Sequence, residues 1–284
     1  WYSDGEDGIV AMLYGPSRIT RKLGATQQEV TIVESTDYPF SEQIDFEIRT
    51  QSKLRFAFTL RIPAWAEGAT LQLNGKKLGM NLQPGMFATV EREFAPYDIL
   101  TLHLPMTIKT QRWPKGGISI ERGPLVYALK IEEDWQIDHE EKLSTKEFPA
   151  WNLYPKSDWN YALAVDEENP DKDIQMVFHS MKPNPWMLED APIELIVPAR
   201  KVKGWKMIET NEIERKPGKG LFGIPRWNKA SKVKGDFKFT PDLPDPETLP
   251  DRLSDEVEMV SLIPYGCTGL RIRLLPYAGK NGVS

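Results

Sequence analysis

The chain has 284 residues, of which 40% are hydrophobic and 27% are charged, and its formal net charge is -5. This length and composition predict a globular protein with a sizeable core and roughly two domains of about 150 residues each. The acidic balance provides no electrostatic basis for binding nucleic acid or an anionic membrane. No apolar run approaches the roughly 20 residues that a membrane-spanning helix needs.

The first residue is Trp1, and no basic and apolar signal segment follows it. We therefore interpret the chain as a truncated or processed product, and a periplasmic or extracellular location is favoured over a cytoplasmic one. The only cysteine, Cys267, excludes an internal disulfide and the multi-cysteine zinc frameworks. The histidines His103, His139 and His179 have no partner at the spacing of a metal site or a catalytic triad. The sequence thus predicts no metal ligand and no catalytic residue.

Apolar and polar residues alternate with a period of two in many short runs, which is typical of strands with one buried face. The clearest runs are residues 44–49, 54–62, 100–106, 125–131, 193–197, 257–263 and 270–274. Strands with one polar face favour antiparallel sheets. Asn74-Gly75 between two such runs predicts a type I′ hairpin, because both residues tolerate positive φ. The predicted fold is all-β, with two antiparallel β-sandwich domains.

We place the domains at residues 1–111 and 112–284, because turn residues cluster in the segment 112–117. Within the second domain, residues from about 207 to 250 are rich in Pro, Gly and Lys and have weak periodicity. This segment is interpreted as a long loop of functional or mobile character.

The nucleophile and carboxylate candidates favour structural roles. Cys267 stands in a turn between two apolar runs and is interpreted as a partly buried structural thiol. The acidic residues at 132–134 and 189–190 are interpreted as solvated loop charges. A glycosidase pair of carboxyl groups has to lie about 5–10 Å apart, a distance that sequence does not reveal.

Several of the nine tryptophans lie near loops, where an indole can stack on a ligand as well as fill a core. We name Trp159, Trp186 and Trp227 as candidate sugar contacts. For any one of them, burial at a domain junction is favoured over sugar binding.

Eight segments stand in a characteristic order: GIVAMLYGPS at 8–17, TDYPF at 36–40, LRIPAW at 60–65 with LNG at 73–75, LPM at 104–106 before ERGPLVY at 121–127, WNYAL at 159–163, NPW at 184–186, PAR at 198–200 with Trp205, and LIPYGCTGLR at 262–271. Together they resemble the C-terminal β-sandwich region of glycoside hydrolase family 127, the β-L-arabinofuranosidase-like enzymes. The resemblance covers nearly the whole chain.

The resemblance implies that a helical (α/α)6 barrel lies upstream of these β domains. In that family, cysteines and a glutamate of the barrel hold a zinc ion, and one cysteine is the nucleophile. None of those motifs occurs in this sequence, and Cys267 belongs to the last β segment, so no catalytic role is transferred to it. The expected partner is the upstream barrel of the same chain, and the expected zinc belongs to that barrel. The segment from about residue 207 to 236 is longer than the corresponding segment usually is in the family.

Three functions therefore stay open. The first is a non-catalytic accessory region of a glycoside hydrolase acting on arabinose-containing plant-type glycans, which braces the barrel and exposes an apolar patch where the barrel docks. The second is a carbohydrate-binding module with loop tryptophans in one groove. The third is an autonomous enzyme with two carboxyl groups of separated pKa in a cleft.

Overall fold

The computed structural model describes residues 1–5, 8–138, 144–215 and 231–279. Strands dominate these residues, and the predicted all-β fold is confirmed. The only described α-helix is a single turn, α1 (Leu249–Arg252), and 3-10 turns lie at Pro114–Gly116, Pro170–Lys172 and Tyr265–Cys267. None of the helices in the described part of the chain has the length and apolar character needed to cross a membrane.

Two sheets form the N-terminal sandwich. The first contains, in spatial order, β1 (Tyr2–Asp4), β2 (Gly8–Ala11), β6 (Leu54–Arg61) and β9 (Phe87–Phe94). The second contains, in spatial order, β3 (Ser17–Leu23), β4 (Gln28–Ser35), β5 (Gln43–Thr50), β10 (Asp98–His103), β7 (Thr70–Leu73) and β8 (Lys76–Lys77). The strands pair antiparallel except for β2 and β6, which are parallel and join distant parts of the sequence.

The alternation seen in the sequence builds the core between these sheets. Ile44, Phe46 and Ile48 of β5 are fully buried, whereas the residues between them face away from the core. Phe46 meets Phe58 of β6 edge to face, with ring centroids 5.1 Å apart, so each sheet contributes one ring to the centre. Apolar side chains on alternate positions thus fix which face of each strand is inside.

The predicted hairpin at Asn74-Gly75 is confirmed. These two residues connect β7 to β8, with Leu73 paired to Lys76, and their φ values are 50° and 76°. Positive φ at both central residues is what a type I′ turn requires.

The C-terminal part is built on one large sheet. Its strands, in spatial order, are β11 (Ile108–Trp113), β12 (Gly117–Arg122), β13 (Leu125–Leu129), β21 (Glu258–Pro264), β18 (Ile193–Lys201) and β16 (Tyr161–Leu163), with β17 (Gln175–Phe178) also paired to β18 and β22 (Leu275–Pro276) paired to β12. β22 pairs with β12, and the next residue, Tyr277, forms a bridge to Leu163 of β16, so this segment connects strands that are far apart in the sheet order. Buried side chains from these strands form one hydrophobic cluster.

Two small hairpins extend from this sheet: β14 (Glu133–Ile137) with β15 (Trp151–Pro155), and β19 (Ile208–Arg215) with β20 (Ser231–Phe239). The second hairpin corrects the expectation of a loop over 207–250, because strands occupy much of that segment. Its register places Glu209 opposite Lys238, with an ion pair of 3.1 Å, and Glu212 forms a diagonal ion pair of 2.8 Å with Lys232. Cross-strand charge pairs stabilise such a ribbon without any apolar alternation.

The two clusters of buried side chains separate between Leu104 and Ile108. The predicted boundary at residues 111 and 112 falls inside β11, and the division into domains there stays a prediction. Phe40 is an exception, because it belongs to the N-terminal sandwich in sequence but is buried in the C-terminal core.

Candidate functional site

The three tryptophans named as candidate sugar contacts have different surroundings. Trp159 is only 7% exposed and packs edge to face on Trp205, with ring centroids 4.8 Å apart. Trp186 is 42% exposed. Trp227 lies outside the described residues. Sugar contact at these positions stays a prediction, and the burial of Trp159 favours the structural alternative.

Cys267 is a buried thiol, as expected for a structural cysteine. Its Sγ donates to the carbonyl of Pro185 at 3.3 Å, and burial raises the pKa of the thiol to about 11. A raised pKa keeps the thiol protonated at neutral pH, and the thiolate is the form that acts as a nucleophile. As the only cysteine of the sequence, it also cannot provide the several thiolates of the family's zinc site.

Two histidines pair with carboxylates on the surface. Nε2 of His103 lies 3.3 Å from Glu42, and Nε2 of His179 lies 3.1 Å from Glu194. Glu194 also accepts hydrogen bonds from Ser261 and Lys130. Burial raises the pKa of Glu194, but these hydrogen bonds outweigh burial and lower its pKa overall. His139 lies outside the described residues, and within the described ranges no three His, Cys, Asp or Glu side chains form a group suited to a metal ion.

A pocket of about 490 Å³ lies where the N-terminal sandwich meets the C-terminal sheet. We call it the Arg122 pocket, and its wall includes Phe40, Glu42, Arg122, Phe178 and Met181. Arg122 ends β12 and its side chain is 4% exposed. Its Nη2 donates to Glu42 Oε1 at 2.6 Å. Two of the segments singled out in the sequence, TDYPF at 36–40 and ERGPLVY at 121–127, therefore contribute residues to the wall of one pocket.

The Arg122 pocket is lined in part by three exposed apolar side chains, which we call its apolar rim: Met176, Phe178 and Met181. Met176 and Phe178 lie on β17, a strand that pairs on one side with β18 and has no second neighbour among the described strands. Phe178 is 61% exposed, and Met176 and Met181 beside it are also exposed. An exposed apolar edge strand next to a pocket is typical of a surface that another protein covers.

A second concavity, of about 560 Å³, lies on the C-terminal part. We call it the aromatic groove, and its wall includes Glu133, Trp135, Trp186, Glu189 and Arg271. Trp135 is 54% exposed on β14. This groove joins Trp186, which the sequence singled out, to Trp135, which it did not.

Glu133 was expected to be a solvated loop charge, and that interpretation is wrong. It begins β14, and its Oε1 accepts hydrogen bonds from Thr268 Oγ1 at 2.8 Å and from the backbone N–H of Gly269 at 2.6 Å. Its Oε2 accepts from Trp135 Nε1 at 3.0 Å. The partner loop is 136 residues away in sequence, so no local pattern could have revealed this contact.

Comparison with known proteins gives a family match for the N-terminal sandwich. Residues 8–106 match the family model for the middle domain of GH127 β-L-arabinofuranosidase. No curated protein matches the chain significantly.

Three solved structures share the fold along almost the whole chain. A GH127 β-L-arabinofuranosidase from Geobacillus stearothermophilus T6 is 20% identical, with a TM-score of 0.53 over 97% of this chain and 34% of that one. A glycoside hydrolase is 18% identical, with a TM-score of 0.53 over 94% of this chain and 35% of that one. A GH127 β-arabinofuranosidase is 16% identical, with a TM-score of 0.54 over 96% of this chain and 35% of that one.

The chain thus spans about a third of the length of these solved structures. The similarity to these structures covers the C-terminal sheet as well as residues 8–106. The resemblance read from eight sequence segments is confirmed: residues 8–106 match the GH127 middle-domain model, and the chain shares its fold with part of each of these three solved structures.

Proposed function

We propose that the chain is the non-catalytic accessory region of a glycoside hydrolase that acts on arabinose-containing plant-type glycans, and that it braces the catalytic (α/α)6 barrel of that enzyme. The observation that carries the proposal is the match of residues 8–106 to the GH127 middle domain. The buried, protonated thiol of Cys267 supports a structural rather than catalytic role for this chain. The zinc implied by the family would then be held by the barrel.

The Arg122 pocket is the surface that we assign to the barrel. Its rim holds Phe178, Met176 and Met181 in contact with water, and fully burying one such side chain contributes roughly 1.5–3 kcal/mol. The pocket also lies at the junction of the two parts of the chain, so a barrel docked there would contact both. Docking at a junction restrains the relative position of the two parts, which is what bracing requires.

The catalytic part of the proposal is tested on the purified chain with aryl arabinofuranosides. We expect no turnover above the buffer background, and activity only when the chain and the barrel are present in one polypeptide. Turnover by the chain alone would refute the non-catalytic role and direct attention to its carboxylates.

The docking part is tested by measuring association between the chain and a separately produced barrel polypeptide in sedimentation experiments. We expect Phe178→Ser to weaken association by about tenfold, because it removes the largest exposed side chain of the apolar rim. Phe87→Ser is the matched control, since Phe87 is also a half-exposed aromatic residue on an edge strand, β9. Equal effects of the two substitutions would contradict docking at the Arg122 pocket.

A further inference from the structure

The aromatic groove is not explained by the accessory role. Its two indoles come from separate parts of the chain: Trp135 from β14 and Trp186 from the segment before β18. Both are about half exposed, whereas large aromatic side chains gain most from burial. Trp151 of β15 packs edge to face on Trp135, with centroids 6.2 Å apart, and is also exposed. Three exposed indoles in one region call for a ligand or a partner.

The indoles are held in fixed positions rather than left loose on the surface. The hydrogen bond from Trp135 Nε1 to Glu133 fixes the ring, and Glu133 is itself fixed by Thr268 and Gly269. Trp186 packs on Phe40 with centroids 4.7 Å apart. A ring whose position is set before binding loses little conformational entropy when a ligand stacks on it.

The loop between the indoles is built to approach them closely. A Cβ on Gly266 would lie 2.7 Å from the ring of Trp186, and a Cβ on Gly269 would lie 3.1 Å from the ring of Trp135. Glycine at these two positions is therefore needed for packing, and the loop forms a floor between the two rings. The volume of about 560 Å³ lies within the roughly 300–1,000 Å³ range of small-molecule sites.

The polar groups of the groove carry both signs of charge. Arg271 and Lys156 provide donors, and Glu132 and Glu189 provide acceptors. Arg271 has a φ of 54°, an uncommon conformation for a residue with a side chain, and its Nε donates to the carbonyl of Thr268 at 3.3 Å. Glu133 also lines the groove, but both of its oxygens already accept hydrogen bonds. Donors and acceptors thus stand side by side, and they match a neutral ligand with hydroxyl groups, which donate and accept hydrogen bonds.

We propose that the aromatic groove is a carbohydrate-binding subsite for neutral saccharide units, with Trp135 and Trp186 as stacking surfaces and Arg271 and Glu189 as partners of the sugar hydroxyls. The apolar C–H face of a sugar ring lies on an indole, while its hydroxyls reach the polar groups at the edge of the groove. Only the identity of the glycan, an arabinose-containing one, rests on the proposed function. The subsite holds the glycan near the enzyme without taking part in the reaction.

The test is calorimetric titration of the complete chain with linear arabino-oligosaccharides, with xylo-oligosaccharides in parallel. We expect saturable binding that Trp135→Ala and Trp186→Ala each weaken by roughly tenfold, as for the loss of one aromatic contact. Trp135→Phe should retain part of the affinity, because it keeps a ring at that position. Phe87→Ser is the control, since it removes an exposed aromatic residue that lines neither the groove nor the Arg122 pocket. Circular dichroism melting of each variant checks that it folds.

Absence of saturable binding to either series, or binding that the groove variants leave unchanged, would overturn the proposal. It would also be overturned if Trp135→Ala left sugar binding intact but weakened association with the barrel polypeptide, since the groove would then be a protein contact. Binding of xylo-oligosaccharides alone would support the subsite and contradict the arabinose part of the proposed function. Turnover by the chain alone would refute the proposed non-catalytic function, whereas the subsite is judged by the binding titrations.

Discussion

The Glu42–Arg122 pair provides the sharpest test of how the two parts of the chain are held together. Arg122 Nη2 lies 2.6 Å from Glu42 Oε1, and Arg122 is 4% exposed while Glu42 is 28% exposed. At an effective dielectric constant of about 20, two unit charges at this distance attract by roughly 6 kcal/mol. Desolvation of the guanidinium offsets much of this attraction. Among the residues that the structure describes, Arg122 Nε has no hydrogen-bond partner, and Nη1 donates to the sulfur of Met106 at 3.3 Å.

Glu42→Gln removes the anion and keeps the shape, so the buried guanidinium loses its ion-pair partner. We expect a loss of about 3 kcal/mol in the free energy of unfolding, at the low end of the roughly 3–5 kcal/mol for breaking a buried pair, because glutamine still accepts a hydrogen bond. Urea unfolding followed by tryptophan fluorescence and circular dichroism measures it, with both probes compared because two regions can unfold separately. Glu91→Gln is the control, since the Glu91–Arg55 pair is exposed, with a distance of 3.2 Å.

The double variant Glu42→Gln, Arg122→Met completes this experiment. Removing the guanidinium as well should recover part of the stability, because no unpaired charge is then buried. If Glu42→Gln costs no more than Glu91→Gln, the ion pair does not fasten the two parts and the reasoning is refuted.

Three further predictions concern the site residues. Gly266→Ala should lower the free energy of unfolding by about 1–3 kcal/mol in urea titrations, because its Cβ would lie 2.7 Å from the Trp186 ring, whereas Gly79→Ala, with no atom within 4 Å, should be nearly neutral. Cys267 should resist a thiol-specific reagent at pH 8 in the folded chain and react rapidly in guanidinium; since its folded pKa is raised to about 11, its contribution to stability should decline as pH rises from about 9 to 11. Fast labelling of the folded chain would contradict this burial. Trp159→Ala should lower the free energy of unfolding by about 3–5 kcal/mol, as for a core tryptophan, and a neutral result would indicate a surface role.

Local patterns in the sequence predicted the features that depend on near neighbours. Ile44, Phe46 and Ile48 alternate with charged residues, and the strand that they form has the expected inner face. Asn74 and Gly75 specify their turn by backbone preference alone. The family resemblance was also within reach, because its segments keep their order along the chain.

Contacts between distant segments were out of reach. The strands β2 and β6 pair in parallel, so no tight turn connects them in the sequence. The bridge between Tyr277 and Leu163 joins residues more than a hundred positions apart, so no local turn signal predicts it either. Phe40 enters the C-terminal core although its neighbours belong to the N-terminal sandwich. Trp159 and Trp186 looked alike in the sequence because both stand near loops, and only tertiary packing separates the buried ring from the exposed one.

The hairpin of β19 and β20 was missed for a different reason. Its strands carry lysine and glutamate at many positions, so the apolar alternation that marked the other strands is weak. Opposite charges at facing positions, as in Glu209 and Lys238, were the available signal. Matching two segments by charge requires the register of the pairing, which composition does not supply.

One ring contact connects the Arg122 pocket to the aromatic groove, so we expect their proposed functions to depend on each other. Phe40 lines the pocket and its ring packs on Trp186, which lines the groove. A partner docked in the pocket therefore contacts the residue that packs against a ring on which the sugar is proposed to stack. Binding free energies are reciprocal, so a saccharide at saturation should strengthen association with the barrel by the same factor as the barrel strengthens saccharide binding.

We expect that factor to be about fivefold or more, measured by sedimentation with and without arabino-oligosaccharide. Phe40→Leu keeps an apolar side chain in the core but removes the ring contact, so it should reduce the factor toward one. Phe178→Ser should weaken association and leave the factor unchanged, because Phe178 lines the pocket and not the groove. Suppose that the chain binds both the saccharide and the barrel. Equal association constants with and without saccharide would then show that the two surfaces act independently despite the contact between Phe40 and Trp186.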